Sequence, residues 1–101
     1  MNEVKFGVFG LWRGACFVGI INKYEGAVVT AVCDKSEVRR NDVKNICEKA
    51  GVLDRVSFYE DFDEFIEGDM DVVFLCNNFN EHAKYAIKAL EKGKHVISEC
   101  I

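Results

Sequence analysis

Apolar runs and helix-like stretches follow one another along the whole chain. The apolar runs predict five β-strands, at Val4–Phe9, Ala27–Cys33, Val56–Tyr59, Met70–Cys76 and His95–Ser98. These runs are continuously apolar, which is typical of strands covered on both faces. Alternation with helices and right-handed crossovers predict an α/β fold, a Rossmann-type doubly wound parallel sheet of about five strands in the order 3-2-1-4-5. We expect strand 4 to be central, flanked by strands 1 and 5.

Helical spacing between the first three strands predicts two helices. The first is expected from about Arg13 to Tyr24, closed by Gly26. The second is expected to begin at a Ser36 cap and to stop at Gly51.

Two further helices are predicted in the second half of the chain. Asp61 and Glu64 have the spacing of a capping box for a short helix. Its inward residues are predicted to be Phe62, Phe65 and Ile66. Asn80 is expected to cap the last helix, which Gly93 follows. The inner face of that helix is predicted to be Ala83, Ala86, Ile87 and Leu90.

The loop after strand 1 is a partial match to a dinucleotide-binding fingerprint, in which glycines allow a tight turn and close approach of the diphosphate. Gly10 supplies the turn and Ala15 the small third residue, but Trp12 replaces the middle glycine. We expect the loop to shift, using the freedom of Gly14, and Arg13 to donate charge-assisted hydrogen bonds to phosphate. A purely structural turn is the alternative.

An acidic residue follows strand 2 at about the 20-residue offset where ribose hydroxyls are bound. The Asp34 carboxylate would accept hydrogen bonds from a ribose 2′,3′-diol and repel a 2′-phosphate, which favours NAD over NADP. A solvated aspartate opening a turn is the alternative. Lys35, Arg39 and Arg40 could instead neutralise a phosphate, although an exposed helix face explains Arg39 and Arg40 equally well.

Composition excludes several classes of function. The net charge of −4 argues against a general nucleic-acid binder, which needs a basic face. No apolar run approaches the roughly 20 residues of a membrane span. Five cysteines without a C-x-x-C pair form neither a disulfide framework nor a zinc site. We therefore expect a reduced, cytoplasmic protein that uses no metal and binds neither nucleic acid nor membrane.

The stretch from residue 77 to residue 99 resembles the N-terminal domain of the glucose–fructose oxidoreductase / inositol dehydrogenase / rhizopine-catabolism (Gfo/Idh/MocA) family. The family pattern has a Thr-Pro-like pair, a histidine, an alanine-rich helix ending in Ala-Leu, then Gly-Lys-His-Val and Glu-Lys-Pro. Residues 82–99 follow it closely, beginning with His82, and the resemblance extends back to Val4.

Three departures from the family pattern stand out. Trp12 replaces the middle glycine, and Asn77 and Asn78 replace the Thr-Pro pair. Glu99 and Cys100 stand at the Glu-Lys-Pro position. A cysteine cannot supply the fixed positive charge of the lysine that the family implies beside the nicotinamide, so no catalytic residue is assigned with certainty.

The resemblance implies the nucleotide-binding portion of an NAD(P)-dependent oxidoreductase acting on a sugar, a polyol or a related carbonyl or alcohol. Residues 1–101 are then an incomplete N-terminal dinucleotide-binding domain, inactive alone, which lacks the substrate domain of a full-length enzyme expected to form a homo-oligomer. A non-catalytic nucleotide-binding or sensor module is the alternative. The expected cofactor-binding residues are Gly10, Leu11, Trp12, Arg13, Asp34, Lys35, Asn77, Asn78, His82 and Glu99.

Overall fold

The computed structural model describes residues 3–76 and 81–98 and contains a five-stranded, fully parallel sheet. The strand order is β3-β2-β1-β4-β5, as predicted. β4 lies between β1 and β5, but the central strand is β1, so the expectation of a central fourth strand was wrong. The elements are β1 (Val4–Phe9), α1 (Leu11–Ile21), β2 (Ala27–Cys33), α2 (Glu37–Ala50), a 3₁₀ turn (Leu53–Arg55), β3 (Ser57–Tyr59), α3 (Phe62–Phe65), β4 (Val72–Leu75), α4 (His82–Glu91) and β5 (His95–Ser98).

Apolar side chains cover both faces of the sheet, as the continuous apolar strands predicted. The first cluster lies on the face of α1 and α2 and includes Val8, Leu11, Val18, Ile21, Val29, Val32, Val43, Cys47, Val56 and Cys76. The second lies on the face of α3 and α4 and includes Phe9, Ala31, Cys33, Phe62, Phe65, Ile66, Met70, Val73, Leu75, Tyr85 and Ala89. The carboxyl ends of the strands are thus held between two packed layers.

Helix α1 differs from its predicted bounds at both ends. It begins at Leu11, directly after Gly10, whose φ of 93° makes the sharp turn out of β1. It ends at Ile21, and the side chain of the next residue, Asn22, accepts a hydrogen bond from the amide of Val29. The helix therefore opens at the strand end itself, two residues closer to the site than the sequence predicts.

Helix α1 lies close to the sheet because of Gly14. A Cβ at this position would stand 2.6 Å from Cγ1 of Val8. Gly14 is helical rather than left-handed, so it does not provide the loop freedom that was expected of it. The small residue at the helix–strand contact is thus Gly14, while Ala15 is only half-buried.

The last two helices correct two predictions. Asp61 precedes α3 without a side-chain cap, so the predicted capping box does not form, although the inward residues Phe62, Phe65 and Ile66 are confirmed. In α4 the buried residues are His82, Tyr85 and Ala89. Ile87 and Leu90 are exposed, since the helix is rotated to bring the ring of Tyr85 onto the aromatic cluster below. The predicted inner face of α4 was therefore wrong.

Candidate functional site

The carboxyl ends of β1 and β2 bring the predicted loop and the predicted acidic residue together. Phe9 and Cys33 are aligned in the parallel ladder, and the amide of Gly10 donates to the carbonyl of Cys33 at 3.0 Å. Gly10 and Asp34 therefore leave the sheet side by side. This is the edge at which doubly wound sheets bind their ligands.

The carboxylate of Asp34 lies between the N-termini of α1 and α2. Its Oδ2 accepts a hydrogen bond from the amide of Leu11 at 2.7 Å, and its Oδ1 accepts one from the amide of Ser36 at 2.8 Å. Each carboxylate oxygen has a second lone pair, so two acceptor positions remain. The residue is half-buried. Asp34 is thus a fixed, partly accessible anion with the capacity to accept two hydrogen bonds from a diol.

Leu11 and Ser36 contribute to this arrangement in ways that the sequence did not reveal. The side chain of Leu11 is buried in the core, so this residue enters the site only through its amide. Ser36 caps α2 by accepting from the amide of Arg39, as predicted, and its own amide also holds Asp34. The Asp-x-Ser spacing is the signal that could have found this turn, because aspartate side chains bond amides two residues on.

The three cations near Asp34 have different environments. Arg40 donates from Nη1 to the carbonyls of Asp34 at 2.7 Å and Lys35 at 3.1 Å, which holds the loop after β2. The guanidinium of Arg39 lies over the ring of Trp12, 3.5 Å from its centroid. Lys35 is exposed, and it forms no hydrogen bond or ion pair with any residue that the structure describes.

Trp12 stands in the first turn of α1 with its side chain directed to Arg39 of α2. Its amide donates to no described residue, because the first backbone hydrogen bond of the helix runs from Gly14 to Gly10. An open amide at the positive end of an 11-residue helix suits an anionic diphosphate. The side chain of Arg13 is exposed in the same turn. These residues fit a bound dinucleotide without the loop shift that Trp12 was expected to require.

The other predicted ligands fall at the ends of β4 and β5. His82 is the first residue of α4 and is buried. Asn77, Asn78, Glu99 and Cys100 lie outside the described residues, as does the predicted Asn80 cap. The described half of the site is therefore the half that would hold the diphosphate and the adenosine ribose.

An aromatic cluster beneath the site was missed by the sequence analysis. The ring of Phe9 lies 4.8 Å from that of Phe62 and 4.7 Å from that of Tyr85, measured between centroids. These rings form the floor of a depression of about 210 Å³, which Lys35 and Asp61 also line. The signal was the Tyr85 position itself, three residues after His82 on the same helix face.

Cys33 lies one residue before Asp34 and is fully buried. Burial, reinforced by the nearby carboxylates of Asp34 and Asp61, raises the pKa of its thiol to about 12. The thiol is therefore neutral at physiological pH. It fills space beneath the site as a small apolar group.

Two further classes of site were sought among residues 3–76 and 81–98. No three His, Cys, Asp or Glu side chains converge there as metal ligands. Within the same residues, no helix has the length and apolar character needed to cross a bilayer.

Comparison with known proteins agrees with this geometry. The family described as "Oxidoreductase family, NAD-binding Rossmann fold" (Gfo/Idh/MocA) matches residues 4–100. A glycosyl hydrolase family 109 protein of Bacteroides thetaiotaomicron is 32% identical over 98% of this chain and 22% of its own length. The myo-inositol 2-dehydrogenase of Thermotoga maritima is 32% identical over 95% of this chain and 28% of its own length.

A solved structure shows the same architecture. The scyllo-inositol dehydrogenase of Lactobacillus casei, with bound NAD(H) and scyllo-inositol, superposes with a TM-score of 0.78 at 26% identity. The superposition covers 96% of this chain and 28% of that one, so this chain spans less than a third of each of these three proteins. From the match over residues 4–100 and the shared sheet, the chain belongs to the Gfo/Idh/MocA oxidoreductase family and forms its NAD-binding Rossmann fold.

Proposed function

We propose that this chain binds NAD in preference to NADP and forms the cofactor-holding part of an oxidoreductase that acts on a sugar or polyol. The observation that carries the proposal is the carboxylate of Asp34, held by the amides of Leu11 and Ser36 at the carboxyl edge of the sheet. Bound nicotinamide accepts or returns a hydride, while the residues of this chain bind and orient it.

The preference for NAD follows from charge. The two remaining acceptor positions of Asp34 suit the 2′- and 3′-hydroxyls of the adenosine ribose. A 2′-phosphate beside this carboxylate would cost on the order of 1–3 kcal/mol unless a cation intervened. Among the described residues no cation lies within ion-pair distance of the Asp34 carboxylate, and Arg40 is bonded to backbone carbonyls instead.

The remaining contacts are assigned by position. Gly10, Trp12 and Arg13 would line the diphosphate at the start of α1. Lys35 would lie beside the adenosine. Asn77, Asn78, His82 and Glu99 would flank the nicotinamide half, and Cys100 stands where the family resemblance implies a lysine. These assignments are supported by the strand ends at which the residues occur.

The test is calorimetric titration of the chain with NAD and with NADP, before and after Asp34→Ala. We expect NAD to bind more tightly than NADP in the unmodified chain. We expect the substitution to weaken NAD binding by about tenfold or more, through lost charge-assisted hydrogen bonds, and to change NADP binding little. Asp54→Ala, in the exposed 3₁₀ turn, is the matched control and should change neither affinity.

Asp34→Asn distinguishes lost binding from lost structure, because the amide oxygen still accepts one of the two backbone hydrogen bonds. Tighter binding of NADP than of NAD by the unmodified chain would contradict the assignment of Asp34 as the selector.

A second function is favoured by the names of the relatives, because the most similar ones are called glycosyl hydrolase family 109 proteins. In that case the same site would hold the cofactor for glycoside cleavage. The two are separated by assaying the whole protein that contains this chain. Net NADH formation from polyols supports the dehydrogenase, and release of sugar from glycosides without net NADH formation supports the hydrolase.

The setting of the whole protein is also a proposal. A reducing, cytoplasmic compartment is supported by the free thiols of the four described cysteines, Cys16, Cys33, Cys47 and Cys76. The substrate would be held by parts of the protein beyond this chain, and the homo-oligomer implied by the family resemblance would form through that whole protein.

A further inference from the structure

We propose that Trp12 withholds the guanidinium of Arg39 from the ribose 2′ position, so that the Trp12–Arg39 pair enforces selection against NADP. The inference rests on the proposed function, since it requires a dinucleotide whose adenosine ribose meets Asp34. It gives a role to the residue that departs from the glycine fingerprint.

The pair spans the same two helix N-termini that hold Asp34. Trp12 directly follows Leu11, whose amide donates to Oδ2 of Asp34. On the other side, the amide of Arg39 donates to Oγ of Ser36 at 3.3 Å, and the amide of Ser36 donates to Oδ1 of Asp34. Both members of the pair are therefore anchored within a few atoms of the carboxylate.

The guanidinium of Arg39 is already engaged from two directions. It lies 3.5 Å from the centroid of the Trp12 ring, well within the range of a cation–π contact. Its Nη1 also lies 3.7 Å from Oδ2 of Asp42, one helical turn further along α2. Only 32% of the Arg39 side chain is exposed, although it belongs to a surface helix. A phosphate that recruited this cation would have to displace both partners.

The neighbouring cations do not replace it. Arg40 is bonded to the carbonyls of Asp34 and Lys35, and releasing it would free the loop that carries the carboxylate. Lys35 is the remaining cation of the cluster, a flexible point charge rather than a guanidinium fork. The Asp34 carboxylate thus faces an incoming 2′-phosphate while the nearest planar cation is held against Trp12.

A glycine at position 12, as in the family pattern, would leave Arg39 without its aromatic partner. The long arginine side chain could then turn toward the 2′ position, where a planar guanidinium binds phosphate through two parallel hydrogen bonds. Trp12 is 70% exposed and its side chain packs in neither apolar cluster, so its removal should leave the core intact.

The experiment measures the dissociation constants of NAD and NADP by calorimetry for the chain and for Trp12→Gly, Trp12→Phe, Arg39→Ala and the double variant Trp12→Gly/Arg39→Ala. The readout is the ratio of the NADP constant to the NAD constant. The two cofactors differ only in the 2′-phosphate, so any effect of position 12 on the shared diphosphate cancels in this ratio.

We expect Trp12→Gly to lower the ratio by roughly fivefold to tenfold, the range of a lost cation–π contact. Trp12→Phe should keep a ratio close to that of the unmodified chain, because it retains an aromatic face. Arg39→Ala alone should leave the ratio unchanged, since Arg39 does not serve the phosphate while it is held. The double variant should lose the gain of Trp12→Gly.

Each contrary outcome has a separate meaning. An unchanged ratio in Trp12→Gly, or a gain that survives in the double variant, overturns the withholding role. A higher ratio in Arg39→Ala overturns it as well, since Arg39 would then serve the phosphate directly, and this surface variant remains informative if Trp12→Gly fails to fold. Absence of binding by either cofactor to the folded, unmodified chain contradicts the proposed function itself.

Discussion

At the scale of single residues, the surroundings of the strand ends decide which groups carry charge. Asp34 and Cys33 are consecutive, yet the first is a half-buried anion held by two amides and the second is a buried neutral thiol. Burial comes first among the causes that raise the pKa of Cys33 to about 12, and the charge of Asp34 adds to it. The site therefore contains one fixed negative charge rather than two.

The raised pKa of Cys33 predicts a loss of stability in base. The thiol binds its proton more tightly in the folded chain than in the unfolded one, where the pKa is near 9.0. Its contribution is thus fully present below about pH 9 and is lost as the pH rises toward about 12. We expect the free energy of unfolding, measured with urea between pH 8 and pH 10.5, to fall more steeply for the unmodified chain than for Cys33→Ala. Equal slopes would show that the thiol does not titrate on unfolding in this range.

At the scale of elements, α1 depends on contacts from two strands. Its first turn is capped by the Asp34 carboxylate, which follows β2, because Gly10 has no side chain to cap it. Its distance from the sheet is set by Gly14 against Val8. The orientation of the helix N-terminus toward the site thus comes from β1 and β2 together.

Two glycine substitutions in α1 should have opposite effects on stability. Gly14→Ala places a Cβ 2.6 Å from Val8 and should destabilise the chain by about 1–3 kcal/mol through overpacking. Gly19→Ala, in the same helix, meets nothing within 4 Å and should stabilise it by about 0.5–1 kcal/mol through helix propensity. Urea unfolding of both variants is the measurement. A Gly14→Ala chain as stable as Gly19→Ala would show that α1 can move away from the sheet at little cost.

At the scale of the whole molecule, two apolar layers hold the sheet and leave its carboxyl edge open. The layer under α3 and α4 is rich in aromatic rings, with Phe9 joining the end of β1 to Phe62 and Tyr85. The other layer is mainly aliphatic. A ligand at the open edge would contact loops from both layers and should therefore stabilise the fold as a unit.

Cofactor binding should raise the thermal stability of the whole chain. A ligand that binds only the folded state adds about 2.7 kcal/mol at 100 times its dissociation constant. We expect saturating NAD to raise the melting temperature measured by circular dichroism, and Asp34→Ala to reduce that rise at the same NAD concentration. A rise of equal size in the variant would place the bound NAD away from Asp34.

The sequence alone determined the sheet order, the edge at which the site lies and the acidic residue that follows β2. Continuous apolar runs separated by helical spacing permit few arrangements, and right-handed crossovers leave the order that is observed. The position of Asp34 is equally local, because it is the first polar residue after a buried strand.

Only the tertiary structure decided how the residues around that site are used. The start of α1 at Leu11 depends on a carboxylate 23 positions away, and the buried face of α4 depends on where Tyr85 finds other rings. Adjacent arginines diverge in the same way, with Arg39 on Trp12 and Arg40 on backbone carbonyls. Hydrophobic period and turn residues report short-range preferences, whereas caps, stacks and helix rotation depend on groups that meet only after the chain has folded.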